Sequence, residues 1–145
     1  MLKQLQQDSS LTNQQLADKV RLSPSACLRR VKALEDAGII EGYHAQLNAK
    51  KLGLSLQAQV SVSMDKHTPE RLGGFETAIA NCEEVLECYL ITGQSADYIL
   101  KVVVKDMEHF QEFLLGKLTR IEGVTGVHSS FIMRKVVDRS ALPLH

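Results

Sequence analysis

Four cations and no carboxylate stand between residues 21 and 34: Arg21, Arg29, Arg30 and Lys32. Guanidinium and ammonium groups gathered in this way suit a polyanion, phosphates above all. Two hydroxyls, Ser23 and Ser25, flank Pro24 just ahead of the arginines. Serine followed by proline opens helices. The serine oxygen caps a first-turn amide, and the N–H that proline lacks is one the helix would not have used. The positive end of such a helix, with its free N–H groups and the Ser23 and Ser25 hydroxyls, can hold a phosphate. Arg29, about one turn further in, can reach guanine O6 and N7 in a major groove. Arg21, Arg30 and Lys32 suit backbone phosphates, which position a protein on a duplex without reading its sequence.

Other chemistries find less support. The five histidines, His44, His67, His109, His128 and His145, are scattered, and none has helical i,i+4 spacing to another ligand type, so no metal site is expected. Cys27, Cys82 and Cys88 are odd in number and form no C-x-x-C pair, which argues against a disulfide framework or a zinc site and for reduced thiols. Serine, histidine and aspartate are present, but without a nucleophile elbow or a Gly-rich phosphate loop. Neither an enzyme nor a bound cofactor is expected. No run of about 18 apolar residues exists to span a membrane, and no basic segment followed by an apolar one opens the chain. The expected compartment is the cytoplasm.

The charge is unevenly spread. Of 17 basic and 17 acidic residues, 8 and 5 fall within residues 1–55, leaving 9 and 12 for residues 56–145. The first part therefore carries the positive excess that a polyanion partner needs.

The elements that must hold the cations follow from caps and periodicity. Residues 1–7 read as the end of a helix, broken at Asp8-Ser9-Ser10. Thr12 and Gln15 have the spacing of a capping box, and Leu11 and Leu16 that of a hydrophobic staple, so a helix is expected over 12–20. Only Arg21-Leu22-Ser23 separates it from the next, which runs from Pro24 to about Ala37 and stops at Gly38. At about 100° per residue, Cys27, Leu28, Val31, Leu34 and the stem of Glu35 share the inward face. Ser25, Ala26, Arg29, Lys32, Ala33 and Asp36 point outward, with Arg30 on the flank. Two capped helices joined by three residues, the second showing Ser, Ala, Arg and Lys outward, match a helix-turn-helix that reads double-stranded DNA. Residues 39–47 look like a short hairpin or wing turning at Glu41-Gly42, and residues 48–55 like a linker.

From residue 56 the period changes. Leu56, Ala58, Val60, Val62 and Met64 alternate with polar residues, which predicts a strand over 56–64 with one face buried. Thr68-Pro69 caps a helix to about Asn81, with Leu72, Phe75 and Ile79 inward. Residues 85–92 and 97–105 are apolar on both faces and read as central strands joined by a hairpin loop at 93–96. Asp106 caps a further helix, with Phe110, Phe113, Leu114 and Ile121 inward, and a last strand runs from Val124 to about Val137. The order β-α-β-β-α-β is the ferredoxin-like arrangement. Two helices cover one face of such a sheet. The other is expected to be apolar and to find a second copy of itself, giving a homodimer.

Residues 11–40, from Leu11-Thr12-Asn13 through Ser23-Pro24-Ser25-Ala26-Cys27-Leu28-Arg29-Arg30-Val31-Lys32 to Gly38-Ile39-Ile40, resemble the winged helix-turn-helix of the leucine-responsive/asparagine-regulator (Lrp/AsnC) family. The second half is similar to that family's effector-sensing domain, in Glu87-Cys88-Tyr89, Thr92-Gly93, Asp97-Tyr98-Ile99-Leu100-Lys101-Val102, Ile121-Glu122-Gly123-Val124 and Ser129-Ser130-Phe131. The resemblance implies a dimer of facing sheets, often assembled into tetramers or octamers, with an amino acid bound at an interface around the hairpin loop. It points to Gly93 and Asp97 as effector contacts. Glycine admits a ligand close to backbone N–H groups, and a carboxylate can pair with an α-ammonium group. Gln94, Ser95 and, more loosely, Ser129 or Ser130 are further polar contacts. Two positions depart from the family's habit: Arg21 stands where glycine is usual, and three residues rather than two separate Gly93 from Asp97.

The expectation is an α+β protein: a winged helix-turn-helix over 1–47, a linker over 48–55, and a ferredoxin-like βαββαβ effector-binding and oligomerisation domain over 56–145. Its expected function is sequence-specific regulation of transcription in response to a small molecule, an amino acid by resemblance. The rival is an architectural, nucleoid-type protein that wraps or bridges DNA without a ligand.

Overall fold

The computed structural model describes residues 1–145, divided into two compact units: Met1–Gln46 together with Val136–His145, and Leu47–Lys135. The second unit begins at Leu47 and ends at Lys135, and Val136–His145 packs with the first. No helix is long and apolar enough to cross a membrane.

The first unit holds three helices: α1 (Leu2–Gln7), α2 (Asn13–Val20) and α3 (Pro24–Asp36). Both halves of the capping box form, Thr12 accepting from the Gln15 amide and the Gln15 side chain from the Thr12 amide. Leu16, Ala17 and Cys27 are the core, with Met1, Leu5, Leu11, Val20, Leu22 and Val31 packed around them. Arg21 closes α2 in the left-handed region, φ 57° and ψ 47°. α3 ends as a Schellman turn: Gly38, φ 70°, donates to Glu35 O at 3.0 Å, and Ile39 to Leu34 O at 3.0 Å. Two expectations need correction. Leu28 is not inward but 60% exposed; it lies about 100° around the helix from Cys27, beyond the stripe that two short helices can cover. Residues 39–47 hold no β-strand, since a lone two-stranded ribbon is marginal in water. The Tyr43 hydroxyl instead anchors the segment, donating to Glu35 Oε1 at 2.8 Å.

The second unit is a four-stranded antiparallel sheet with two helices on one face. β1 (Leu56–Met64), α4 (Pro69–Ala80), β2 (Val85–Leu90), β3 (Tyr98–Val104), α5 (Met107–Gly116) and β4 (Val124–Phe131) follow in that order, and the sheet runs β2-β3-β1-β4. Ala58, Val60, Val62, Tyr98, Leu100 and Val102 form the inner sheet face against Phe75 and Ile79 of α4 and Phe110 and Phe113 of α5. Thr68 and Asp106 cap the two helices as expected.

Three further expectations change. β2 is an edge strand, not a central one, and Leu86, Tyr89 and Leu90 are all more than half exposed. β4 stops at Phe131 rather than near Val137, because its one neighbour, β1, begins at Leu56 and Ile132 already bonds to Gln57 O, one residue from that start. The uncovered sheet face is not broadly apolar. The register sets Cys88 and Leu90 beside Leu100 and Tyr98, on the helix side, leaving Tyr89, Ile99 and Val103 among Gln59, Ser61, Lys101 and His128. Cross-strand neighbours share a face, so counting apolar residues by strand misassigned them.

Candidate functional site

The cations are carried by α3 and the turn before it. Asn13 Nδ2 donates to Pro24 O at 2.8 Å, which ties the start of α2 to the start of α3 and fixes the angle of the turn. Ser23 Oγ accepts from the Ala26 amide at 3.3 Å and lies 3.4 Å from Ser25 Oγ. Pro24 has no N–H, Ala26 is spent on Ser23, and Cys27 donates to Ser23 O. Of the first-turn N–H groups, the Ser25 amide is thus left for a ligand, together with two hydroxyls; the expected supply of free amides is smaller than the helix end alone implies. No acidic residue lies in that turn to compete.

Arg21, Arg29, Arg30 and Lys32 are all exposed, as are Ser23 and Ser25, while Ala26 is half-buried beside Cys27. Arg29 lies between Ser25 and Lys32 on the outward side. Lys32 Nζ sits 4.0 Å from Asp36 Oδ1, a solvated i,i+4 pair that holds the ammonium only weakly. Arg30 is apart: it borders a groove with Lys3, Lys19, Val20 and Leu34, turned toward α1 and α2. At the far end of α3, burial and the bond to Glu35 push the Tyr43 hydroxyl up, so it stays a donor.

In the second unit the loop after β2 surrounds Gly93, whose φ of 84° favours glycine. A methyl there would meet nothing within 4 Å, so the approach to the backbone is open. Gln94 and Ser95 are exposed. Asp97 is not: its side chain is 19% exposed and both oxygens are engaged, Oδ2 accepting from the Met64 amide at 2.7 Å and Oδ1 lying 2.8 Å from His67 Nε2. Its backbone accepts from Ile91 and donates to Val62 O, and Ser63 Oγ donates to Ser95 O at 3.3 Å. Asp97 therefore stitches the loop to the end of β1. Gly93, Gln94, Ser95 and Asp97 are brought together. Ser129 and Ser130 are not, because they pair with Val60 and Gln59 on opposite faces of β1's far side. Ser130 is four residues, roughly 13 Å, from the Ser63 register.

Asn13, Tyr43, His67 and Met64 were not foreseen. The first two could have been sought as polar partners for the exposed ends of α3; His67 carries no signal before the β1–α4 turn is folded. A second cluster surrounds Glu84. Glu84, 6% exposed, accepts from Lys117 Nζ at 2.7 Å with His109 Nε2 at 3.7 Å. Burial raises the Glu84 carboxyl, and the Lys117 ammonium with His109 more than offsets this, leaving it below its ordinary value. Cys88, on the helix side of β2, is pushed up to about 11 by burial and by Glu76, so its thiol is a poor nucleophile.

A family model for the Lrp/AsnC ligand binding domain matches residues 57–142, and one for winged helix-turn-helix DNA-binding matches residues 1–41. The chain is 43% identical over 144 residues to the Bkd operon transcriptional regulator of Pseudomonas aeruginosa, covering 99% of this chain and 94% of that one. It is 37% identical over 142 residues to the leucine-responsive regulatory protein of Escherichia coli K12, covering 98% and 86%. Among solved structures, a transcriptional regulator of Neisseria meningitidis in complex with L-Met superposes with a TM-score of 0.93 at 39% identity, covering 98% of this chain and 91% of that one.

Proposed function

This chain belongs to the Lrp/AsnC family of transcription regulators, and from that premise we propose that α3 reads duplex DNA and that an amino acid, held around the β2–β3 loop, adjusts that binding. The observation that carries the reading is the outward side of α3. Ser23, Ser25 and Arg29 are all exposed, at a helix start with no acidic residue. We assign Arg29 to base edges, with Ala26 against the groove wall. Ser23, Ser25, Arg21 and Lys32 take phosphates, and Arg30 meets a phosphate only at the flank.

The Neisseria relative bound to L-Met supports an amino acid as effector here. Gly93, Gln94 and Ser95 offer backbone and amide groups to it. Asp97 shapes the loop and has lone pairs left for an ammonium group beside its two existing partners. A homodimer, assembled further into tetramers or octamers, follows from the family, and the uncovered sheet face is the surface available for it. Ser129 and Ser130 join the effector site only if a second copy brings them there. The protein works in the cytoplasm, by binding and not by catalysis.

The test is selection of bound fragments from random duplex DNA, with and without the amino acid that stabilises the protein in a thermal-shift series over all twenty. A regulator yields one enriched motif and a stabilising amino acid. Unselective DNA capture with no stabilising amino acid would leave the architectural reading in its place.

A further inference from the structure

The last ten residues pack on the unit at the other end of the chain. The contact is specific: Leu142 N donates to Gln6 Oε1 at 2.6 Å, and Gln6 Nε2 donates to Leu142 O at 3.2 Å. One side-chain amide thus mimics a paired strand, satisfying both backbone groups of a residue 136 positions away. The Leu144 amide turns back to Leu142 O at 2.9 Å. That folds Leu144, the least exposed apolar side chain of the tail at 36%, into the groove lined by Leu2, Val20 and Leu34. Arg30 borders the same groove.

The element that receives the tail is the weakest of its unit. α1 has six residues, no side-chain cap and no buried residue, and a helix that short does not hold itself together in water. Its Met1 and Leu5 nevertheless cover the Leu16–Ala17–Cys27 core. The chain also enters the sheet unit at Leu47 and leaves it at Lys135, so two chain segments join it to the helical residues, and the pairing of Ala58 with Phe131 puts the start of β1 beside the end of β4.

We propose that Val136–His145 is a strap: it clamps α1 through Gln6 and Leu144 and makes β4 a second mechanical connection between the effector unit and the DNA-binding helices. A displacement of β4 then pulls on α1 and, through the shared groove, on the Arg30 side of α3. The proposal rests on the effector reading above only for the origin of the signal.

The experiment uses the full chain, the variants Gln6→Ala and Leu144→Asp, and a truncation after Lys135. Hydrogen exchange of the α1 amides should speed up at least tenfold in all three, with β1 and β3 amides unchanged. Duplex affinity should fall severalfold with the salt slope intact, because no phosphate contact is removed. Wild-type exchange of α1 in both point variants overturns the strap, whether or not the truncation folds. L-methionine separates the two readings. If it stabilises the intact chain and shifts its DNA affinity, Gln6→Ala should keep the stabilisation and lose the shift; a retained shift overturns the strap as the signal's route. If no amino acid stabilises the intact chain, the effector reading fails while the exchange result still decides the strap.

Discussion

Arg29 and Lys32 are both exposed cations on one helix, yet they are expected to behave differently. A guanidinium aimed at a guanine edge makes two parallel bonds that only one base pair satisfies. Arg29→Ala should therefore cost about 1–3 kcal/mol at the preferred site and relax sequence preference. Competitive gel shifts against scrambled duplex measure this; equal losses on both duplexes would remove Arg29 from the reading role. Lys32 is already loosely held by Asp36, and its ammonium is a point charge. Lys32→Ala should weaken all duplexes alike and flatten the dependence of log K on log salt by about one unit. The oxygens of Asp97 hold the Met64 amide and His67; asparagine has one acceptor oxygen and no charge, so Asp97→Asn should weaken this stitch. Loop order and amino-acid stabilisation should then fall together in thermal-shift titrations.

At the level of elements, the turn between α2 and α3 is where stability has been given up. Arg21 is the one non-glycine residue with positive φ, a conformation that costs an L-residue about 1–2 kcal/mol. Glycine relieves that cost and adds some unfolded-state entropy. Arg21→Gly should therefore stabilise the protein by roughly 0.5–1 kcal/mol in urea unfolding while weakening DNA binding. The opposite outcome on stability would mean that the arginine side chain makes up the strain within the fold. Thr12 works the other way. It closes a complete capping box, and Thr12→Ala should cost about 1 kcal/mol.

For the molecule as a whole, acid stability is tied to Glu84. Its folded pKa lies below the ordinary value of 4.5. A depressed carboxylate contributes stability above its unfolded pKa and loses it as pH falls through the folded one. The thermal midpoint should drop on acidification below about pH 4.5. Lys117→Met leaves the nearly buried carboxylate without its short ammonium partner and should cost about 1–3 kcal/mol at neutral pH, with a shallower acid dependence. Differential scanning at pH 7, 5 and 3.5 checks both. A parallel pH profile for variant and wild type would show that Glu84 does not set it.

Caps, spacing and period were enough to place α2, α3, β1, α4, β3 and α5, and to single out the cations, because those signals are local: Thr12 to Gln15, Ser23 to Ala26, Leu56 to Met64. What lay outside the sequence depends on neighbours far along the chain. Which face of β2 is covered is set by its register with β3, and that moved Cys88 and Leu90 to the helix side. Whether Asp97 is free or spent is set by the end of β1, 33 residues earlier. Where the last ten residues go is set by Gln6. Hydrogen bonds between distant segments are decided by which surfaces the fold brings together, and no local pattern in the chain encodes that meeting.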